Sequence, residues 1–230
     1  MTLTVGTRFR GPADSGNGGY VAGLLADGLG TGPVTVTLRH PPPLETSLET
    51  TRDDGGVRLH DGATLVAEAV AEREDGDLVS VPPVPVDEAR AAARTYPGHT
   101  KHPFPECFVC GTTRAHGDGM RLFPGRLGDG RTACVWDVEP TEARAREFVW
   151  AALDCPGGWA APLEGRPMVL GRLTAQVLDT AAAAEACVAM GDYQGTEGRK
   201  TWTTSSVYGA DGRLLGRARA TWIALPQPPR

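Results

Sequence analysis

The sequence predicts an α+β fold made of two units, each a helix joined to about four antiparallel strands. Three observations predict it. An apolar helical stretch near the start is followed by short segments of period-two or β-branched character. The second half repeats that pattern. VRLHDGATLVAEAVAE (57–72) and SSVYGADGRLLGRARATW (205–222) also read as one hairpin used twice, with the turn at Asp61-Gly62 echoed at Asp211-Gly212.

The first helix lies in NGGYVAGLLADGLG (17–30). Val21, Leu24, Leu25 and Leu29 fall on one face, and Asn17 is a fitting N-cap ahead of two glycines. VTVTLRH (34–40) and LETSLETTR (44–52) read as strands, DDGG (53–56) as a turn, and residues 57–72 as a hairpin. Residues 1–81 form the first unit. Residues 82–104 are proline-rich and irregular around a short exposed helix, DEARAAAR (87–94), and read as a linker. Residues 105–230 form the second unit. MRLF (120–123) is strand-like, and RTACVWDV (131–138) alternates, with Cys134, Trp136 and Val138 on one face. EFVWAALDCPGGWAAP (147–162) starts as a helix. MVLGRLTAQVL (168–178), EACVAMGDYQ (185–194), TWTTSSVYG (201–209) and RLLGRARATWIAL (213–225) are strands.

Of the 230 residues, 40% are hydrophobic and 22% charged, enough apolar side chain for a sizeable core. A net charge of −5 without runs of Lys or Arg gives no nucleic-acid surface. No stretch approaches the ~20 apolar residues of a membrane helix, and MTLTVGTRFRGPAD lacks the apolar centre of a secretory signal. Five scattered cysteines do not make a disulfide framework, so the cytoplasm is the expected compartment.

Three motifs carry a family resemblance. CFVCGTTRAHGDGMRL (107–122) resembles the opening of hotdog thioesterases of the phenylacetic-acid-pathway type, although their Asn-Pro-Gly turn is replaced here by HGDGM. WAALDCPGGWA (150–160) resembles the family's central helix with its acidic residue, and NGGYVAGLLAD (17–27) resembles that helix's start, where family members have His-Gly-Gly. A helix wrapped by an antiparallel sheet, duplicated in one chain, is similar to the double hotdog fold.

The resemblance implies hydrolysis of an acyl-thioester, on coenzyme A or an acyl carrier, at a site shared by the two helices. Amides at a helix N-terminus would meet the thioester carbonyl and a carboxylate would handle the water. At the family's spacing, Asn17 stands where the His would be, but its acidic partner position is Ala26, with Asp27 one place further on; Asp154 has Ala145, Arg146 and Glu147 where His-Gly-Gly would be. Each unit keeps a different part. The resemblance thus implies one composite site, with Gly18 and Gly19 from the first unit and Asp154 from the second, and a dead pseudo-symmetric counterpart. Related two-domain acyl-CoA thioesterases place a Thr and a Gln beside their Asp, which makes Thr174 a further candidate and brings Gln176 into view. Asn17, Tyr20, Trp150 and Trp159 are candidate pocket residues. Coenzyme A enters only as part of the substrate, with no separate cofactor and no metal. Double hotdog chains imitate a dimer internally and often pair further, which leaves room for a homo-oligomer.

Plainer readings stand beside these. Asp154 can cap a new helical turn begun at Pro156. Gly18-Gly19 can be a simple turn, Trp150 and Trp159 core residues, and Thr174 a solvent-face strand residue. The arginines at 166, 172, 199, 217 and 219, with Lys200, can meet phosphates or form a solvated strand face. A non-catalytic acyl-thioester binder is the alternative function. A hydratase is disfavoured because neither central helix contains histidine.

Cys107 and Cys110 form a C-x-x-C pair, with His99 and His102 before it. A structural zinc site wants a second matched pair, which is missing, and a redox pair should open a helix. Both cysteines therefore read as small apolar residues at the start of the second unit.

Overall fold

The computed structural model describes residues 1–72 and 78–226. In chain order the elements are β1 (Thr2–Thr4), α1 (Gly18–Ala26), β2 (Val34–Leu38), β3 (Ser47–Asp53), β4 (Gly56–Asp61), β5 (Thr64–Ala71), α2 (Val86–Ala93), β6 (Gly125–Arg126), β7 (Thr132–Asp137), α3 (Arg146–Ala160), β8 (Met168–Val177), β9 (Ala186–Glu197), β10 (Lys200–Tyr208) and β11 (Leu214–Ala224). All strands join one 11-stranded antiparallel sheet in the order β1-β3-β4-β5-β2-β8-β11-β10-β9-β7-β6.

That order makes the duplication visible. From the centre outward, β2-β5-β4-β3-β1 on one side matches β8-β11-β10-β9-β7 on the other. The halves meet where β2 pairs with β8, Val34 opposite Ala175 through Thr37 opposite Arg172. Gly62 and Gly212 carry positive φ of 55° and 84°, which tight hairpin turns require and glycine adopts without strain.

Helix α1 is apolar nearly all round, and most of its residues are buried, as expected of a helix held between a sheet and a second helix. Helix α3 buries every residue from Phe148 to Trp159. The two run antiparallel in close contact: a Cβ on Gly19 would lie 2.5 Å from Asp154 Cβ, and one on Gly23 would lie 2.6 Å from Glu147 Cα. These glycines set the helix separation. α3 continues through Pro156, whose missing N–H costs a helical bond. Neighbouring strands supply donors around the gap: Ser205 Oγ to Leu153 O (2.5 Å) and Thr132 Oγ1 to Pro156 O (2.7 Å).

Two sequence expectations are corrected. The helix expected to be exposed, α2, buries Ala89 and Ala92 against the outer face of the second half-sheet, in a layer with Val81, Val135, Met190 and Tyr208. Tyr208 OH donates to Val81 O at 2.7 Å, fastening the connector there. MRLF forms no strand: Arg121 has φ of 54°, and residues 120 and 122 instead donate to the carbonyls of Phe108 and Val109. No helix among the described residues is long and apolar enough to cross a membrane.

Candidate functional site

The N-terminus of α1 meets the middle of α3 at the floor of a cavity of about 460 Å³. Small-molecule sites commonly have volumes of about 300–1,000 Å³. Asp154, Cys155 and Trp159 from α3, Asn17 and Gly18 from α1, and Leu170 from β8 all line it.

Asn17 caps α1, its Oδ1 accepting from Tyr20 N at 2.9 Å. That fixes the amide so that Nδ2 donates to Asp154 Oδ2 at 2.9 Å. Gly19 N donates to the same oxygen at 3.0 Å. Asp154 Oδ1 is buried and has no hydrogen-bond partner among the described residues. Burial, reinforced by the neighbouring Cys107, pushes the Asp154 carboxyl up to about 7 against the two donated hydrogen bonds. Asp154 therefore lies within a continuous helix and caps nothing, which removes the plainer reading of it.

The other expected residues divide. Gly18 lines the cavity, and its N–H has no partner among the described residues. Gly19 N–H, expected to face a thioester carbonyl, is taken by Asp154 instead. Trp159 lines the cavity and donates from Nε1 to Cys110 Sγ at 3.5 Å. Tyr20 stacks on Phe9 with ring centroids 4.0 Å apart and does not line the cavity; burial pushes its hydroxyl up to about 12. Trp150 packs at the helix crossing, away from the cavity. Thr174 Oγ1 lies 2.7 Å from Thr35 Oγ1 at the β2–β8 seam, on the strand face opposite Leu173 and Ala175, and is not brought to Asp154. Gln176 Oε1 shares that outer face and accepts from Arg217.

The pseudo-symmetric counterpart lies beside Ala26 and Arg146. It encloses only about 10 Å³, barely one water, and Arg146 Nη2 donates to Val177 O at 3.0 Å beside it.

Two groups escape a sequence reading. Trp222 from β11 walls the cavity, its Nε1 donating to Thr203 Oγ1 at 3.0 Å. Cys155, next to Asp154, places its Sγ 3.9 Å from Cys107 Sγ, and the thiols of Cys107, Cys110 and Cys155 all lie within 4.8 Å of one another. Hydrogen bonds from Cys110 and Cys155 hold the Cys107 thiol well below its usual range. Burial pushes Cys110 up, and the hydrogen bond to Cys107 pushes Cys155 up.

No protein-family model and no curated protein matches the chain. Solved structures do. One described as a thioesterase, from Novosphingobium aromaticivorans, superposes with a TM-score of 0.64 at 14% identity, covering 98% of this chain and 95% of that one. A protein described as having a hot dog fold, from Alicyclobacillus acidocaldarius, gives 0.61 at 13% identity over 99% and 93%. The chain is a double hotdog. The tesB protein of Mycobacterium avium subs paratuberculosis superposes on this double hotdog with a TM-score of 0.62 at 12% identity over 98% and 92%.

Proposed function

We propose that the cavity hydrolyses an acyl-thioester, with coenzyme A or an acyl carrier as the thiol. The observation that carries this reading is Asp154, which lines the cavity: one carboxylate oxygen is pinned by Asn17 and Gly19, and the other is buried without a partner among the described residues. A carboxyl raised to about 7 by burial can take a proton and return it near neutral pH.

In the proposed reaction, water attacks the thioester carbonyl carbon and passes a proton to Asp154 Oδ1. The oxyanion that forms is met by Gly18 N–H and the positive end of α1. Collapse breaks the C–S bond, and the departing thiolate takes the proton from Asp154. The products are a carboxylic acid and a free thiol. Trp159, Trp222 and Leu170 make the walls apolar, which suits an acyl group and excludes bulk water.

The commitment of Gly19 N–H to Asp154 leaves a single amide donor here, which favours a second reading: a non-catalytic binder of the same ligand class. Free-thiol release from a panel of short, long and aromatic acyl-CoAs separates the two. A hydrolase releases thiol with at least one of them. A binder raises the melting temperature with ligand and releases none.

A further inference from the structure

Cys107 and Cys110 come from an irregular loop, and Cys155 from the middle of α3. All three are buried, all three line the cavity, and their sulfurs lie within 4.8 Å of one another. Zinc–sulfur bonds of about 2.3 Å place the sulfurs of a tetrahedral site about 3.8 Å apart. Cys107 and Cys155 are already at 3.9 Å.

From this we infer that Cys107, Cys110 and Cys155 form a binding site for one divalent thiophilic metal ion of the zinc class, whose fourth coordination position opens to the cavity. The third ligand, from α3, does the work of the second cysteine pair that the sequence lacks. The surroundings suit thiolates. Trp159 Nε1 donates to Cys110 Sγ at 3.5 Å, and Asn17 Nδ2 lies 3.8 Å from Cys107 Sγ. Donors of this kind orient metal-bound sulfur and offset its charge. Asp154, the neighbour of Cys155 in α3, lines the same cavity, and its buried Oδ1 has no partner among the described residues. A water from the cavity supplies the fourth ligand. The histidines nearby do not. His102 Nδ1 accepts from Phe104 N at 2.9 Å, its Nε2 lies 3.1 Å from Cys110 O, and His99 Nε2 is 3.2 Å from Ala93 O. Binding one ion converts three thiols to thiolates and releases three protons. The site is independent of the hydrolase reading, because it rests on the sulfurs and its test reads metal.

The test is the metal content of the full chain purified without chelator, together with the absorption spectrum after reduction and addition of cobalt(II) alone. The expected result is about one zinc per chain, or its uptake on reconstitution, and a thiolate-to-cobalt charge-transfer band. Cys155→Ser should lose both; Cys187→Ser, in β9, should keep both. Absence of metal and of the cobalt band in the reduced wild type overturns the inference. So does an undiminished metal content in Cys155→Ser, or a disulfide joining Cys107 to Cys155 in the purified chain. If Cys155→Ser does not fold, the wild-type cobalt spectrum decides.

Discussion

At the scale of single residues, Asp154 joins the two helices through its carboxylate. Asparagine is nearly isosteric with it and can still accept from Asn17 Nδ2 and Gly19 N, so Asp154→Asn should keep the helix crossing while losing the proton acceptor. Its carboxylate was legible in the sequence only through the resemblance of WAALDCPGGWA to the hotdog central helix, because the residues alone allowed a cap before Pro156 as well. Its partners were not, because Asn17 and Gly19 lie 137 and 135 positions away along the chain. Glu142 is a second buried carboxyl. Its Oε2 accepts from Trp136 Nε1 at 2.8 Å, its Oε1 has no partner among the described residues, and burial raises its pKa. A raised carboxyl pKa means that the folded state holds an extra proton. The stability it gives is present below the unfolded carboxylate range and is lost as pH rises through the folded pKa. Glu142→Gln keeps an acceptor for Trp136 and has no charge to bury. Its melting temperature should exceed that of the wild type at pH 8, and the gap should close at pH 4. A variant less stable than the wild type at pH 8 would contradict this.

At the scale of elements, the two helices are spaced by glycine. The Gly18-Gly19 pair was legible as a helix start, but Gly19 is needed for close approach as much as for its amide. An added Cβ there meets Asp154 Cβ at 2.5 Å and Trp150 O at 2.8 Å, groups that cannot swing aside. At Gly18 the nearest atoms are a methyl carbon of Leu170 at 2.9 Å and one of Leu38 at 3.0 Å, which can adjust, and Leu170 Cβ at 3.0 Å, which is fixed but less crowded than Asp154 Cβ at Gly19. Gly19→Ala should therefore cost about 1–3 kcal/mol or more, the usual range for overpacking. Gly18→Ala should cost clearly less in the same chemical denaturation series. Equal losses would show that the crossing is looser than the packing indicates. Three element-level features resisted sequence reading for one physical reason: each depends on what lies across the fold. Alternation shows that Thr174 and Leu173 face opposite ways, but not which face carries the helices. The alanines of α2 look like solvent positions until a second half-sheet covers them. Cys155 resembles any buried thiol until α3 is set against the loop that carries Cys107.

At the scale of the whole molecule, the duplication was readable because both hairpins use an Asp-Gly turn and because helix and strands recur in order. It yields one sheet, not two domains side by side. The β2–β8 pairing and the α1–α3 crossing both join the halves. Unfolding should accordingly be a single transition, with near- and far-ultraviolet circular dichroism changing together. Two separated transitions would mean that each half is stable alone. The two helix ends are not alike in space: the proposed site has Asp154 and a cavity of about 460 Å³, while its counterpart has Ala26 and Arg146 and about 10 Å³.

Asp154 is the proposed proton acceptor for acyl-thioester hydrolysis in the larger cavity. The most direct measurement compares free-thiol release by wild type and Asp154→Asn on the acyl-CoA that the wild type cleaves fastest, with circular dichroism confirming that both are folded. The expected result is a loss of about 10²–10⁴-fold in kcat, the usual contribution of a positioned base. A folded Asp154→Asn variant that releases thiol at close to the wild-type rate would contradict it.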